Sequence, residues 1–465
     1  MVDRNHYDIV IIGAGSAGLT VAAVAGQLKY KVALIEGHKM GGDCLNYGCV
    51  PSKALLYASK QFKDFEKTFQ HINDSVKFIE PHDSKERFEG FGVDVIEGYG
   101  QFLDAETLIV NGEMLTATKF VIATGSRAFI PSIEGLENIN YLTNETIFSL
   151  DFKPESIVIL GAGPIGVEMA TAFNNMGVKT TVIHNSTGIL KNDDPELSEI
   201  LKQKMLKDGI EIFEDSNLLK VSKSAVGIDF DIESGGDKFV LSASHFLIAT
   251  GRTPNTEKLD LDNADIKYDE RGFIYTNANM QTDNKSIYAL GDVAGKGLFT
   301  HLAAYHASIF IKRVLFGSFF AKVNYKGLPW TTFTSPELAQ VGLTEEHAKT
   351  LYGPKVQVFS ADFKENDRAV TEDAMLGKVK VILDHRGRTL GVSMLGKNAG
   401  ELIQQWTSVV QNRQKPSKLL NQMYTYPTYS DINRLVASKV YKDLFLSSKT
   451  QKVSKILFKL IGKRI

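Results

Sequence analysis

Twice in this sequence an apolar run breaks into glycines at the same spacing. Residues 7–12 (YDIVII) lead into Gly13-Ala14-Gly15-Ser16-Ala17-Gly18, and residues 156–160 (SIVIL) lead into Gly161-Ala162-Gly163-Pro164-Ile165-Gly166. A helical pattern follows each turn, then a second apolar run, 31–35 in the first copy and up to Ile183 in the second. The interval from the first glycine to the residue closing that run is identical, Gly13 to Glu36 and Gly161 to His184. In such a unit the first glycine permits a tight turn, the second lets a pyrophosphate approach the backbone, and the third lets helix and strand pack closely. The helix N-terminus faces the phosphates, and an acid such as Glu36 accepts from ribose hydroxyls. The chain is therefore expected to build two dinucleotide-binding units. The segment VIATG (121–125) returns as LIATG (247–251), which extends the repeat. Two nucleotide sites in one chain imply electrons moving between them; the alternative is that one copy is a degenerate structural repeat.

The second copy departs at its last position. An acid there favours NADH, because it accepts from the ribose and repels a 2′-phosphate. His184, followed by Asn185 and Ser186, neither repels a phosphate nor clamps it as an arginine would. NADH or NADPH stays open, with a lean to NADPH.

The length of 465 residues suits two to four domains, and 43% hydrophobic with 23% charged residues is ordinary globular composition. A formal net charge of −1 gives no field that favours nucleic acid. The charge-free run 9–26 is interrupted by its glycine turn too early to span a membrane, and no other spanning helix is expected. Two cysteines cannot staple a chain this long, so a cytoplasmic setting is expected.

Those two cysteines stand in GGDCLNYGCVPSK, residues 41–53. A zinc site wants more ligands than Cys44 and Cys49 supply, so no metal site is expected, and two inert core thiols are a further alternative. Pro51 suits a first helical position, and Ala54, Leu55, Ala58, Phe62 and Phe65 recur at helical spacing. Cys49 then lies near a helix N-terminus, where the dipole and Lys53 stabilise a thiolate. Asp43 acts the other way on Cys44. This is an environment for redox work.

GGDCLNYGCVPSK resembles the GGxCxNxGCxPSK signature of the class I pyridine nucleotide-disulfide oxidoreductases, which include dihydrolipoamide dehydrogenase, glutathione reductase and mercuric reductase. The resemblance continues in order through ATG (123–125), ATGRTPN (249–255), IYALGDVAG (287–295) and SPELAQVGLTEEHA (335–348), covering nearly the whole chain. It implies an α/β fold of the glutathione reductase type, with two Rossmann-like dinucleotide-binding domains and an α+β C-terminal dimerisation domain. The boundaries expected are an FAD-binding domain at 1–150, an NAD(P)-binding domain at 151–285, a return segment of the first at 286–328, and the interface domain of a homodimer at 329–440.

The resemblance also implies roles. FAD would take the first turn (Gly13, Gly15, Ser16, Ala17, Gly18) with Glu36, Gly42 and Asp43. Ala123, Thr124, Gly125 and Gly291 would complete that cradle, and Asp292 would hold the ribityl chain. NAD(P)H would take Gly161, Gly163, Pro164, Ile165 and Gly166, with His184 and Asn185; Gly251 and Arg252 complete the cofactor set. Cys49 would be the thiol beside the flavin and Cys44 the outer thiol that meets the substrate, with Lys53 and Glu168 paired near the flavin. Electrons would pass from NAD(P)H through FAD to the Cys44–Cys49 disulfide, then to a disulfide or a soft metal ion.

One position breaks the pattern. Thiol-exchanging members of the family carry a late HPT motif and, three residues on, an acid; its histidine serves the partner subunit as acid/base. Here Pro427-Thr428 and Asp431 are in register, but Tyr426 stands where the histidine belongs. A tyrosine near pKa 10 is about one part in a thousand ionised at pH 7, a poor base unless strongly perturbed. Weak dihydrolipoamide or glutathione turnover is therefore expected. Mercuric reductases also carry tyrosine here, but they add a C-terminal cysteine pair that this sequence lacks. Tyr426 alternatively packs an interface in an enzyme with another acceptor.

Residues 441–465 form a tail. Val453, Ile456, Leu457, Leu460 and Ile461 share one helical face, and Lys452, Lys455, Lys459 and Lys463 another; from Lys449 onward there are six basic residues and no acid. Such a basic amphipathic helix lies on an anionic membrane surface or docks on the protein itself. A peripheral setting on the inner membrane face would favour a second reading, an NAD(P)H:quinone or diaphorase-type reductase. A third is a non-catalytic redox-sensing scaffold.

Overall fold

The computed structural model describes residues 5–225, 227–446 and 448–461; Lys463 and the other positions after Ile461 lie outside them. The chain forms two compact units, one of residues up to Ser186 with Gly209–Val323, the other of Thr187–Asp208 with Asn324 onward.

The first unit holds two nucleotide-type sheets. In one, β1 (His6–Ile12) lies between β2 (Val32–Glu36) and β4 (Glu113–Ile122), with β3 (Val93–Glu97) beyond β2, all in parallel pairs. The strands are near-continuous apolar runs because both faces are covered. Ile9 and Ile11 enter a core with Val21, Ala25 and Phe310, while Val10 and Ile12 enter another with Phe102 and Phe120. Helix α1 (Ser16–Gln27) follows the first glycine turn and buries Ala17, Gly18, Val21, Ala22 and Ala25. In the second sheet β5 (Ser156–Leu160) lies between β6 (Lys179–Ile183) and β8 (His245–Ile248), with β7 (Glu211–Phe213) beyond β6, again parallel. An antiparallel meander (Ser216–Ser224, Gly227–Ser234, Asp237–Ala243) precedes β8. The strand β9 (Ile287–Ala289) then returns to the first sheet, parallel to β4.

Two local expectations need correction. Helix α2 (Cys49–Phe62) begins at Cys49 itself, so Pro51 is its third residue rather than its first. It also stops before Phe65: Lys63 turns left-handed at φ 52°, and Asp64 caps a new helix, Phe65–Ile79, by accepting from the Lys67 amide at 2.8 Å. Two further helices matter below, α3 (Pro164–Asn175) after the second glycine turn and α4 (Thr300–Phe310).

The second unit is an antiparallel sheet of β10 (Pro329–Thr332), β11 (Glu337–Gly342), β12 (Gln357–Asp362), β13 (Lys378–Leu383) and β14 (Thr389–Gly396), in the order β10-β11-β14-β13-β12. Trp406 is fully buried against it with Val392, Met394, Ile432 and Val436, and its Nε1 donates to Asn433 Oδ1 at 2.8 Å. Helices α5 (Asp431–Phe445) and α6 (Ser448–Ile461) close the described chain. No helix among the described residues is long and apolar enough to cross a membrane.

The segment Thr187–Asp208 leaves the second nucleotide sheet between β6 and β7 and joins this second unit. Its helix, Pro195–Lys207, is capped by Asp194, and Trp330 Nε1 donates to Asp193 Oδ1 at 2.9 Å. Lys380, buried on β13, meets Asp194 at 2.8 Å, Glu196 at 3.0 Å and Glu345 at 2.8 Å. One ammonium thus bridges the fully buried Asp194 and two glutamates, which Lys378 and Lys349 also pair. Breaking such a pair from one side strands a buried charge, which costs about 3–5 kcal/mol. Lys380→Met is expected to lower the melting temperature of the protein strongly, whereas Lys364→Met, at an exposed ion pair, leaves it nearly unchanged; a calorimetric scan of both checks this.

Candidate active site

The repeated turns have the same construction. Gly13 N–H donates to Ile35 O and Gly161 N–H to Ile183 O, both at 2.8 Å. A Cβ on Gly13 (φ 106°) would sit 2.4 Å from Ala123 O, and one on Gly161 (φ 114°) 2.4 Å from Ala249 O. This explains the echo of VIATG in LIATG: in each copy the alanine carbonyl closes on the first glycine and leaves no room for a side chain. Around Gly15 and Gly163 there is open space instead. These two glycines are the N-caps of α1 and α3, where backbone amides suit a pyrophosphate. Glu36 holds its carboxylate at the first turn, accepting from Ala14 N–H at 2.7 Å and His38 N–H at 2.8 Å.

The cysteine loop is pressed against that turn. Gly42 (φ 58°) opens a short helix, Gly42–Asn46, and a Cβ there would lie 2.8 Å from the Gly15 Cα. Cys44 lies on this short helix and is half-buried; Cys49 opens α2 and is exposed. The electrostatics separate the two sulfurs clearly. Cys49 is lowered to about 6 by the Cys44 thiol donating to it, then by the Thr300 hydroxyl and the Lys53 charge, against the opposing effects of burial and Glu168. Cys44 is pushed far up, because its proton is held in the hydrogen bond to Cys49 and its surroundings are desolvated. The two sulfurs are thus biased in opposite directions, Cys49 toward the thiolate and Cys44 toward the thiol.

Lys53 Nζ donates to Glu168 Oε2 at 2.8 Å, joining α2 to α3. Glu168 is buried. Thr300, the first residue of α4, puts its Oγ1 3.3 Å from Cys49 Sγ, and its carbonyl accepts from Ser16 Oγ at 3.2 Å. Sequence reasoning missed Thr300, which lies far along the chain in no recognisable motif.

Behind the cysteines runs a second network. Arg252 reaches Asp43 Oδ1 at 3.2 Å and donates to Ser126 Oγ at 2.7 Å; Ser126 Oγ donates to Asp292 Oδ2 at 2.6 Å. Burial raises the Asp292 carboxyl above its ordinary value, opposed by Ser126 and Arg252. Asn144, also missed, donates to Asp43 Oδ1 at 2.9 Å. Gly291, beside Asp292, has its amide bound by the buried His306 Nδ1 at 3.2 Å. Thr124 buries its hydroxyl beside the first turn without a hydrogen-bond partner. An open glycine cradle at a helix N-terminus, a placed carboxylate and an orphaned buried hydroxyl fit a bound dinucleotide at the first turn.

In the second copy Asn185 is exposed and His184 is buried, with its Nδ1 3.0 Å from Ser186 Oγ. His184 Nε2 lies 3.9 Å from a carboxylate that sequence reasoning missed, Glu214, just past the end of β7. Pro164 and Ile165 open α3, and Ile165 is exposed. In the second unit, Tyr426 and Asp431 do not pair. Tyr426 OH donates to Asp367 Oδ2 at 2.6 Å, which raises the tyrosine above its ordinary value, while Asp431 binds Arg434 at 2.7 Å.

Alkylation of the reduced protein, followed by peptide mass analysis, is expected to modify Cys49 with a midpoint near pH 6 and to spare Cys44. Reactivity rises with pH through that midpoint, because the thiolate is the nucleophile. Thr300→Val removes a hydrogen bond worth about 0.5–1.5 kcal/mol and moves the midpoint up by roughly 0.4–1 unit. A wild-type midpoint at the ordinary thiol value contradicts the assignment.

The chain matches two family models: pyridine nucleotide-disulphide oxidoreductase over residues 7–308, and the dimerisation domain of the same family over residues 328–436. It is 33% identical to a mercuric reductase of Staphylococcus aureus, over 95% of this chain and 84% of the relative. It is 31% identical to a dihydrolipoyl dehydrogenase of Buchnera aphidicola, over 96% of this chain and 98% of the relative. Among solved structures, the HOCl-induced flavoprotein disulfide reductase RclA from Escherichia coli superposes with a TM-score of 0.87 at 30% identity, covering 93% of this chain and all of that one. With its two glycine turns, its unequal thiol pair and its C-terminal dimerisation fold, this chain belongs to the pyridine nucleotide-disulphide oxidoreductases, a family of FAD- and NAD(P)H-dependent flavoproteins.

Proposed function

We propose that this homodimeric enzyme draws electrons from a nicotinamide nucleotide at the second glycine turn and delivers them through the Cys44–Cys49 pair to a disulfide or a soft metal ion. The observation that carries this reading is the placing of Cys49 at the start of α2, with Thr300 Oγ1 3.3 Å from its sulfur and the Lys53–Glu168 ion pair one turn further on. The Gly13–Gly18 turn, Glu36, residues 123–125 and Asp292 would hold FAD, which when bound would supply the two-electron transfer between nucleotide and thiols.

The rest is the work of this chain's own atoms. Lys53, Thr300 and the Cys44 S–H keep negative charge on Cys49. Cys44 carries the proton and meets the acceptor. With a disulfide acceptor, the Cys44 proton passes to Cys49, the Cys44 thiolate so formed displaces one acceptor sulfur to give a mixed disulfide, and the departing thiolate takes the proton from Cys49. The Cys49 thiolate then attacks Cys44 Sγ and releases the second acceptor sulfur, leaving a Cys44–Cys49 disulfide and two electrons on the acceptor. With a soft cation, the two sulfurs are its ligands. Tyr426, held by Asp367, is a hydrogen-bond donor rather than a base, which favours an acceptor needing no basic help over lipoamide.

For the nucleotide, Glu214 supplies from β7 the carboxylate that β6 lacks at His184, and its negative charge disfavours a 2′-phosphate. This turns the preference toward NADH. Separately, α6 presents Val453, Ile456, Leu457, Leu460 and Ile461 to solvent, and its only charged residues are lysines, which fits peripheral contact with an anionic lipid surface.

Cys44→Ser is expected to abolish turnover of disulfide or Hg(II) while NADH still bleaches the bound flavin. Retained turnover transfers the assignment to direct quinone reduction. Glu214→Gln is expected to lower the NADH-over-NADPH ratio of kcat/KM by about tenfold, the size of one lost charged contact; an unchanged ratio removes Glu214 from nucleotide selection.

A further inference from the structure

A patch in the first unit has no part in the redox site. After α4 the chain runs through Lys312, Arg313 and then FGSFFAK, residues 316–322. Phe316, Phe319 and Phe320 are 64%, 75% and 96% exposed. Three neighbouring phenylalanines in water are a costly surface, and contiguous apolar patches on soluble proteins mark contact sites.

The turn that carries them is built rather than slack. Ser318 N–H donates to Lys312 O at 2.8 Å, Ala321 N–H to Ser318 O at 3.0 Å, and Arg313 Nη1 to Phe319 O at 2.6 Å. Val323 N–H ties the exit to Ala278 O at 2.9 Å. These hydrogen bonds fix the turn from within, and its tip offers apolar surface. Along the chain on either side of it the charge has one sign. From Val293 to Pro336 there is no Asp or Glu, while Lys296, Lys312, Arg313, Lys322 and Lys326 all fall in that stretch. An apolar tip within a cationic sequence is the chemistry of an interfacial anchor: aromatic rings enter the headgroup boundary and cations hold anionic headgroups. A second copy of the same turn would bring like charges together, and the turn lies outside the matched dimerisation domain, residues 328–436.

We propose that the Phe316–Phe320 turn is a lipid-contact element that seats the first unit on an anionic membrane surface. It extends the lipid contact suggested for α6 but stands on its own residues, and it does not depend on the electron acceptor.

The test is sedimentation of the FAD-loaded full chain with vesicles of phosphatidylcholine alone or with about a third phosphatidylglycerol, at about 0.1 M salt, where the Debye length is about 10 Å. The expected result is binding to the anionic vesicles only, weakened about tenfold by Phe319→Ser with Phe320→Ser, with NADH-dependent turnover unchanged. A chain lacking residues 448–461 should keep residual binding that the serine pair removes. Phe320→Trp should show a blue-shifted emission on anionic vesicles, quenched by brominated lipid. Equal binding by wild type and the serine pair overturns the proposal, and if deletion of α6 alone then abolishes binding, the α6 reading survives it. A change of oligomeric mass in the serine pair also overturns it, because the patch then covers protein. No vesicle binding by the wild type overturns both lipid readings and leaves the redox reading intact.

Discussion

Lys53 and Glu168 hold the working parts of the first unit together. Glu168 is buried on α3, and a carboxylate taken out of water requires its counter-charge in place. That counter-charge stands on α2, one turn after Cys49. The helix that presents the thiolate is therefore fixed to the helix that rises from the second glycine turn. The same ammonium favours negative charge on Cys49 while the carboxylate opposes it, so the ion pair tunes the sulfur as well as placing it. The redox pair and the second nucleotide turn share one rigid connection.

What the sequence revealed follows from the range of the physics involved. A glycine that must meet an alanine carbonyl at 2.4 Å, or open a cradle at a helix N-terminus, leaves its mark at fixed spacing, so both turns were readable. The cysteines were readable because helix dipole, Lys53 and Cys49 lie within a few residues of one another. Thr300, Arg252 on Asp43, and Asn144 on Asp43 were not, since each acts across a long stretch of chain and no periodicity announces it. The break in α2 turned on Lys63 adopting a left-handed conformation for which a lysine gives no signal. Glu214 was missed for a related reason: the expected acid was sought at the tip of one strand and stands beside its parallel neighbour.

Tyr426 illustrates how a motif can keep its spacing and change its chemistry. Pro427, Thr428 and Asp431 keep the register of the motif, with Tyr426 in the place of its histidine. In the structure the acid is taken by Arg434, and the tyrosine finds Asp367 instead. A hydrogen bond to a carboxylate stabilises the protonated phenol, so the substitution is reinforced by its new partner. The position is adapted to giving a hydrogen bond, where a histidine would exchange a proton.

The helix Pro195–Lys207 gives the second unit an unusual dependence. Its buried Lys380 finds Asp194 and Glu196 on a segment synthesised well before the sheet it neutralises, and that segment emerges from between two strands of the first unit. A gene break near residue 324 would therefore not separate two modules: the downstream piece would carry a buried lysine with Glu345 as its remaining partner in that cluster. Recombination could exchange exposed loops within either unit more readily. The catalytic half and the half that carries the dimerisation fold, by contrast, are inherited together.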